Sequence, residues 1–124
     1  MSQQAPSLLD RLRGFFGTGG HGRLGYSVSA GRALELVGAG AALVDVREAD
    51  EWRAGHAPQA VHVPLREIDR AQGRLRKDRP VLVVCASGMR SRVGAKHLRS
   101  LGFDAASVAG GMGAWQRAGG PVRR

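Results

Sequence analysis

From Tyr26 onward, short aliphatic runs alternate with stretches whose apolar residues recur at helical spacing. Tyr26–Val28, Ala42–Val46, Val61–Val63, Val81–Val84 and Ala105–Val108 are compact and rich in β-branched residues, which predicts strands. Between them the pattern changes period. Ser29 is placed to cap a helix running to about Val37, stopped by Gly38 and Gly40. Glu48 to Arg53 predicts a short helix ended by Gly55. Residues 65–76 read as helical but weakly amphipathic. Ser91 to Leu101 predicts a helix with Val93, Ala95, Leu98 and Leu101 near one face, and Met112 to Arg117 a last helix. Strands separated by helices predict an α/β fold: a mainly parallel five-stranded sheet with helices on both faces. Sites in such sheets lie at the carboxyl ends of strands. Asp45 and Cys85 both fall there.

The chain before Tyr26 follows another rule. Ser7 is placed to cap a short helix carrying Leu8, Leu9, Leu12, Phe15 and Phe16 on one face, with Asp10, Arg11 and Arg13 opposite. Residues 17–25 are glycine-rich and read as a linker, with His21 solvated in it. The expected organisation is an appendage over 1–25, a domain over 26–121 and a basic tail over 122–124. The apolar stripe admits two readings. It folds back on the domain or stays loosely ordered, or residues 7–16 lie on a membrane surface or a partner.

Length and composition narrow the class. A chain of 124 residues is expected to hold one core. No apolar run approaches the roughly 20 residues that span a bilayer. No basic-then-apolar leader opens the chain. One cysteine cannot form an internal disulfide, a Cys-rich zinc site or a two-cysteine redox motif. A free thiol fits a reducing compartment, so a cytoplasmic location is expected. The net charge is +9, and residues 66–124 hold thirteen Lys or Arg against four acids. That half also holds Cys85, and its field would concentrate a small anion or an acidic partner. Nucleic acid is the competing partner for a basic chain, but aromatics are scarce and the cations are scattered, so none is expected.

The chemistry centres on Cys85-Ala86-Ser87-Gly88-Met89-Arg90-Ser91, which follows the most apolar strand and opens a helix. Helix-start N–H groups and the permanent charge of Arg90 favour a thiolate. The amides from Ala86 to Arg90 are placed to form a concave anion nest, with Gly88 allowing the bend. Ala86 and Ser87 are small and leave the mouth open. The anion held there is either the cysteine's own persulfide or a phosphoryl or arsenoryl oxyanion. Four residues separate Cys85 from Arg90, where the tyrosine-phosphatase pattern has five, and no Asp follows in the loop. The plainer reading is that Cys85 is a small buried hydrophobe.

Three motifs together resemble the single-domain rhodaneses. The first is Leu43-Val44-Asp45-Val46-Arg47-Glu48 with Glu51-Trp52, Gly55-His56 and Ala60-Val61-His62-Val63-Pro64. The second is the Cys85 loop, which is similar to that family's active-site loop. The third is Val108-Ala109-Gly110-Gly111-Met112 with Trp115. The resemblance spans roughly Tyr26 to Pro121. It implies a sulfurtransferase in which Cys85 takes the outer sulfur of thiosulfate or a persulfide, and a thiol or cyanide removes it. It implies Cys85 as nucleophile and Ala86, Ser87, Gly88, Met89, Arg90 and Ser91 as the persulfide-binding loop. The partners implied are a small anionic sulfur donor and a thiol or protein acceptor, with no metal and no organic cofactor. Two departures stand out. Gln59 occupies a position that is usually Gly, and Arg90 is the only charge in the loop. The competing functions are a cysteine-dependent phosphatase or arsenate reductase, and a non-catalytic sulfur carrier or docking module.

Other residues carry weaker signals. Asp45 and Arg47 either orient the loop or form a structural ion pair at the strand end. His56 either carries protons or holds a helix end by a hydrogen bond. His62 and His97 lack partners at metal-ligand spacing. Trp52 and Trp115 read as core anchors. Gly110-Gly111 lacks a Gly-Lys-Ser/Thr ending and reads as a tight strand-to-helix turn. Arg66 to Arg79 reads as a solvated face or a dock for an acidic sulfur carrier.

Overall fold

The computed structural model describes residues 23–124. The apolar stripe over 7–16 and His21 lie outside the described residues. Five strands form one sheet: β1 (Ser27–Val28), β2 (Ala42–Asp45), β3 (Val61–His62), β4 (Val81–Val84) and β5 (Ala105–Val108). Every pair is parallel, in the order β1-β5-β4-β2-β3. The expected α/β architecture is therefore observed. Among the described residues three α-helices link strands, α1 (Ala30–Gly38), α2 (Ala49–Ala54) and α3 (Met89–Ser100), and α4 (Gly111–Arg117) follows β5. Leu65–Arg74 winds as 3₁₀ turns with a kink at Glu67 rather than as one α-helix.

Side-chain alternation divides the interior into two layers. Leu43, Leu82, Val84, Ala106 and Val108 face one side, against Ala33 and Leu36 of α1 and Met112 and Trp115 of α4. Val44, Val81, Val83, Cys85 and Ala105 face the other, against Ala95 and Leu98 of α3 and Ile68 and Ala71 of the 3₁₀ segment. Cys85 continues the parity of Val81 and Val83, so its side chain enters the α3 layer. Burying a Leu or Val side chain this fully is worth about 1.5–3 kcal/mol each, which is why β4 sits centrally.

Local signals account for most boundaries. The Ser29 hydroxyl accepts from the Arg32 N–H at 3.1 Å and caps α1 as expected. Trp115 is fully buried, and its ring N–H donates to the Pro121 carbonyl at 2.9 Å. Two expectations fail. Val93 is 59% exposed, and α3 packs through Ser91, Gly94, Ala95 and Leu98 instead. Val93 stands two residues before Ala95, roughly 200° around a helix of 3.6 residues per turn, so it faces away from the sheet when Ala95 faces in. Trp52 is not a core anchor either. It is half-buried and stacks between two imidazoles, His56 at 3.6 Å and His62 at 4.7 Å between ring centroids.

Leu24 and Arg123, near the two limits of the described residues, are tied to this body. The Leu24 N–H donates to Asp104 Oδ1 at 3.1 Å. Arg123 exchanges main-chain hydrogen bonds with His56, at 2.8 and 2.9 Å, so residues of the basic tail lie along the end of α2.

Candidate active site

β4 ends at Val84 and delivers Cys85 to the carboxyl edge of the sheet. Gly88 then turns the chain at φ +114, in the region that L side chains rarely adopt, and α3 starts at the next residue. The turn folds the loop back over the sulfur. The Gly88 N–H donates to Cys85 Sγ at 3.0 Å, and the Ser91 N–H at 3.3 Å. The Ser91 hydroxyl lies 3.4 Å from the same sulfur, accepting from the thiol. Because α3 begins at Met89, the amides of Met89, Arg90 and Ser91 are its first N–H groups, which lack carbonyl partners within the helix. Helix start and loop are one structure here.

Burial opposes ionisation of Cys85 and is the largest single influence. The Ser91 hydroxyl and the amides of Ser91, Gly88 and Ser87 outweigh it together, and the thiol lies below its ordinary value. The rim matches expectation only in part. Ala86, Ser87 and Met89 are exposed, but Cys85 itself is 1% exposed, at the floor of the loop.

A second turn supports the first from below. The Met112 N–H donates to the Cys85 carbonyl at 2.8 Å. Gly111, at φ +61, lies so close that an added Cβ would stand 2.3 Å from the Ala86 carbonyl oxygen. The tight strand-to-helix turn read from Gly110-Gly111 is therefore also the seat of the Cys85 loop.

Arg90 departs most from the sequence reading. Its guanidinium is held by Glu51 of α2, Nη1 to Oε1 at 2.7 Å and Nη2 to Oε2 at 2.8 Å. Glu51 Oε1 also accepts from the Glu48 N–H at 2.9 Å. The hydrogen bonds from Arg90 hold the Glu51 carboxyl at about 2, well below its usual 4.5. Glu51 in turn pushes Arg90 further above its ordinary value. Arg90 thus closes the loop by clamping it to α2, and its charge reaches the sulfur only as a field. Sequence reasoning quoted Glu51 within a motif and gave it no role.

Asp45 and Arg47 are buried against each other, Nη2 to Oδ2 at 2.8 Å and Nε to Oδ1 at 3.0 Å. Arg47 Nη2 also donates to the Gly55 carbonyl at 2.7 Å. Their side-chain hydrogen bonds run to each other, to the Arg47 N–H and to the end of α2. The His56 ring pairs through Nδ1 with the Trp52 carbonyl at 2.8 Å, and the His62 ring through Nε2 with the Arg47 carbonyl at 2.7 Å. Among the described residues no cluster of three or more His, Cys, Asp or Glu could hold a metal ion, and no helix is long and apolar enough to cross a membrane.

A strand-end cysteine cradled by amides on a parallel α/β sheet defines the class. The chain belongs to the rhodanese-like domain family, whose pattern matches residues 29–118. It is 43% identical over 74 residues to "Putative sulfurtransferase YtwF" of Bacillus subtilis, covering 60% of this chain and 72% of that protein. It is 34% identical over 74 residues to "Putative sulfur carrier protein YrkF" of the same organism, covering 59% of this chain but only 40% of that protein. A rhodanese-related protein from Thermoplasma volcanium has a similar structure, with a TM-score of 0.71 and 31% identity over 79% of this chain and 97% of that one.

Proposed function

We propose that the protein is a sulfurtransferase that carries a sulfane sulfur as a persulfide on Cys85. The observation that supports this most is the pair of main-chain donors on Cys85 Sγ, Gly88 at 3.0 Å and Ser91 at 3.3 Å. Cys85, as thiolate, attacks the outer sulfur of thiosulfate or of a persulfide donor. The new S–S bond forms as the donor's own S–S bond breaks, and sulfite or a thiolate leaves with the electron pair. An acceptor thiolate or cyanide then attacks the outer sulfur, and Cys85 leaves as thiolate. The two steps are ping-pong and use no external oxidant. The terminal sulfur is anionic, and the amides of the loop and of the start of α3 would stabilise it as an oxyanion hole stabilises oxygen. Ala86, Ser87 and Met89 form the rim that the donor and acceptor meet.

The phosphatase or arsenate reductase reading is weaker, because its cation is engaged: both Arg90 nitrogens face Glu51. The carrier reading has one observation in its favour. Cys85 is 1% exposed, and a sulfur so enclosed suits slow release to small thiols and faster release to a partner that fits the rim.

Intact mass after exposure to thiosulfate, and separately to glutathione persulfide, tests the reading. A gain of one sulfur atom is expected, removed by dithiothreitol and absent in Cys85→Ser. No gain from either donor overturns the proposal, as does an equal gain in Cys85→Ser. Turnover with cyanide then separates enzyme from carrier.

A further inference from the structure

Ser107 is a polar side chain in an apolar layer. It lies on β5 beside Val83 of β4, and by alternation it joins Ala105 on the α3 side of the sheet. It is 1% exposed. A hydroxyl buried this way is costly unless hydrogen-bonded. Its hydroxyl partner is Ser91 Oγ, at 2.6 Å. Ser91 is the residue whose hydroxyl and amide both meet Cys85 Sγ.

The proton count at Ser91 gives this contact a direction. A hydroxyl has one proton to donate and two lone pairs. With Cys85 protonated, the thiol donates to Ser91 Oγ at 3.4 Å and the Ser91 proton goes to the Gly88 carbonyl at 3.1 Å. Once the thiol proton has left to solvent, the anionic sulfur can take a third donor beside the two amides, and the Ser91 proton swings to it. The Gly88 carbonyl is not orphaned by this, because the Arg92 N–H still reaches it at 3.3 Å. If Ser91 gave its proton to Ser107 instead, the sulfur would keep only the two main-chain amides of Gly88 and Ser91 and lose the hydroxyl. The arrangement serves the anion only when Ser107 donates to Ser91. Ser107 then also polarises the Ser91 O–H and strengthens it as a donor.

We propose that Ser107, with no hydrogen bond of its own to the sulfur, is a positioning residue that fixes the Ser91 hydroxyl so that its proton serves the Cys85 anion. The inference deepens the sulfurtransferase reading and rests on it for its purpose. Its test is independent of turnover.

Cys85 is the sole cysteine, so thiolate absorbance near 240 nm, with Cys85→Ser as blank, reports one site. Ser107→Ala is expected to cut the thiolate fraction near neutral pH about threefold to tenfold, the size of one ordinary net hydrogen bond. Ser107→Thr, which keeps the hydroxyl, is expected to restore it. In a Ser91→Ala background, Ser107→Ala is expected to add nothing. An unmoved titration in Ser107→Ala overturns the inference, even with a lowered melting temperature, because Ser107 would then be structural only. An equal shift in both backgrounds also overturns it, because Ser107 would not act through Ser91. A titration that behaves as expected in a protein that never gains sulfur would leave the Ser107 inference standing and sink the sulfurtransferase reading.

Discussion

Glu51 and Arg90 stand 39 residues apart in the chain and meet as a two-pronged pair, at 2.7 and 2.8 Å. The pair joins α2 to the first turn of α3. It explains why a loop that is continuous with β4 is held at a fixed height above the sheet edge. It also means that the cation nearest the sulfur already has a counter-charge.

Replacing Glu51 by Gln should therefore be read as a stability experiment. The folded carboxyl holds its proton only below about 2, against 4.5 ordinarily, so the unfolded chain binds the proton at higher pH. The resulting stabilisation is complete above about 4.5 and is lost as pH falls through about 2. Both side chains are about one third exposed, which screens the pair. Glu51→Gln is expected to cost about 1 kcal/mol at neutral pH and to flatten the rise in stability across that acid window. Urea unfolding at a series of pH values checks both. An unchanged slope would mean that the carboxyl does not feel Arg90.

Gly111 should tolerate no side chain. A Cβ there meets main-chain oxygens of Ala86 and Cys85 at 2.3 and 2.5 Å, in a backbone region already disfavoured for L residues. Gly111→Ala is expected to destabilise by about 3 kcal/mol or more and to lower sulfur loading of the protein that remains folded. Gly113→Ala is the control. Its nearest neighbour is the flexible end of Arg117, and alanine favours a helix by about 1 kcal/mol over glycine. Thermal melts of the two variants should move in opposite directions.

Arg47 makes a sharper demand on folding. Arg47→Met leaves Asp45 wholly buried without its counter-ion and opens the bond to the Gly55 carbonyl. A loss of about 3–5 kcal/mol is expected from stranding one member of a buried pair. The thiolate titration of Cys85 in the surviving folded fraction should stay put. A shift there would give Asp45 and Arg47 a part in the chemistry.

The Cys85 thiol should ionise below its ordinary value of 9.0 while folded, and at that value when unfolded. Alkylation by iodoacetamide, followed against pH with and without guanidinium chloride, is expected to inflect at lower pH in the folded protein. This contribution to stability grows as pH rises through the folded value and is lost as pH falls through it. Coincident inflections would show that burial has cancelled the hydrogen bonds.

The Cys85 loop was legible because its parts are contiguous: an apolar strand, a cysteine, a glycine at the turn and a helical pattern after it. Helix α1 was legible for a similar reason, since Ser29 caps it within one turn. Val93 misled because apolar character was taken for burial. Val93 and Ala95 are two residues apart and so lie on opposite sides of α3, and Ala95 is the one that packs inward. Trp52 misled because large aromatics are usually core; His56 lies at i+4 from it, but His62 is brought to it only by β3. The one available hint of Ser107 was a hydroxyl among the aliphatic residues of β5.

By itself, the order of residues determined the alternation of strands and helices, the α/β class and the placement of a lone thiol at a strand end. Those features depend on periodicity, capping and turn chemistry, which act over a few residues. Only the folded sheet decided that Glu51 would clamp Arg90, that Gly111 would seat the loop and that Ser107 would lie 2.6 Å from Ser91. Each of those contacts spans 16 residues or more, and its partners meet only because strand order and register bring them to one edge.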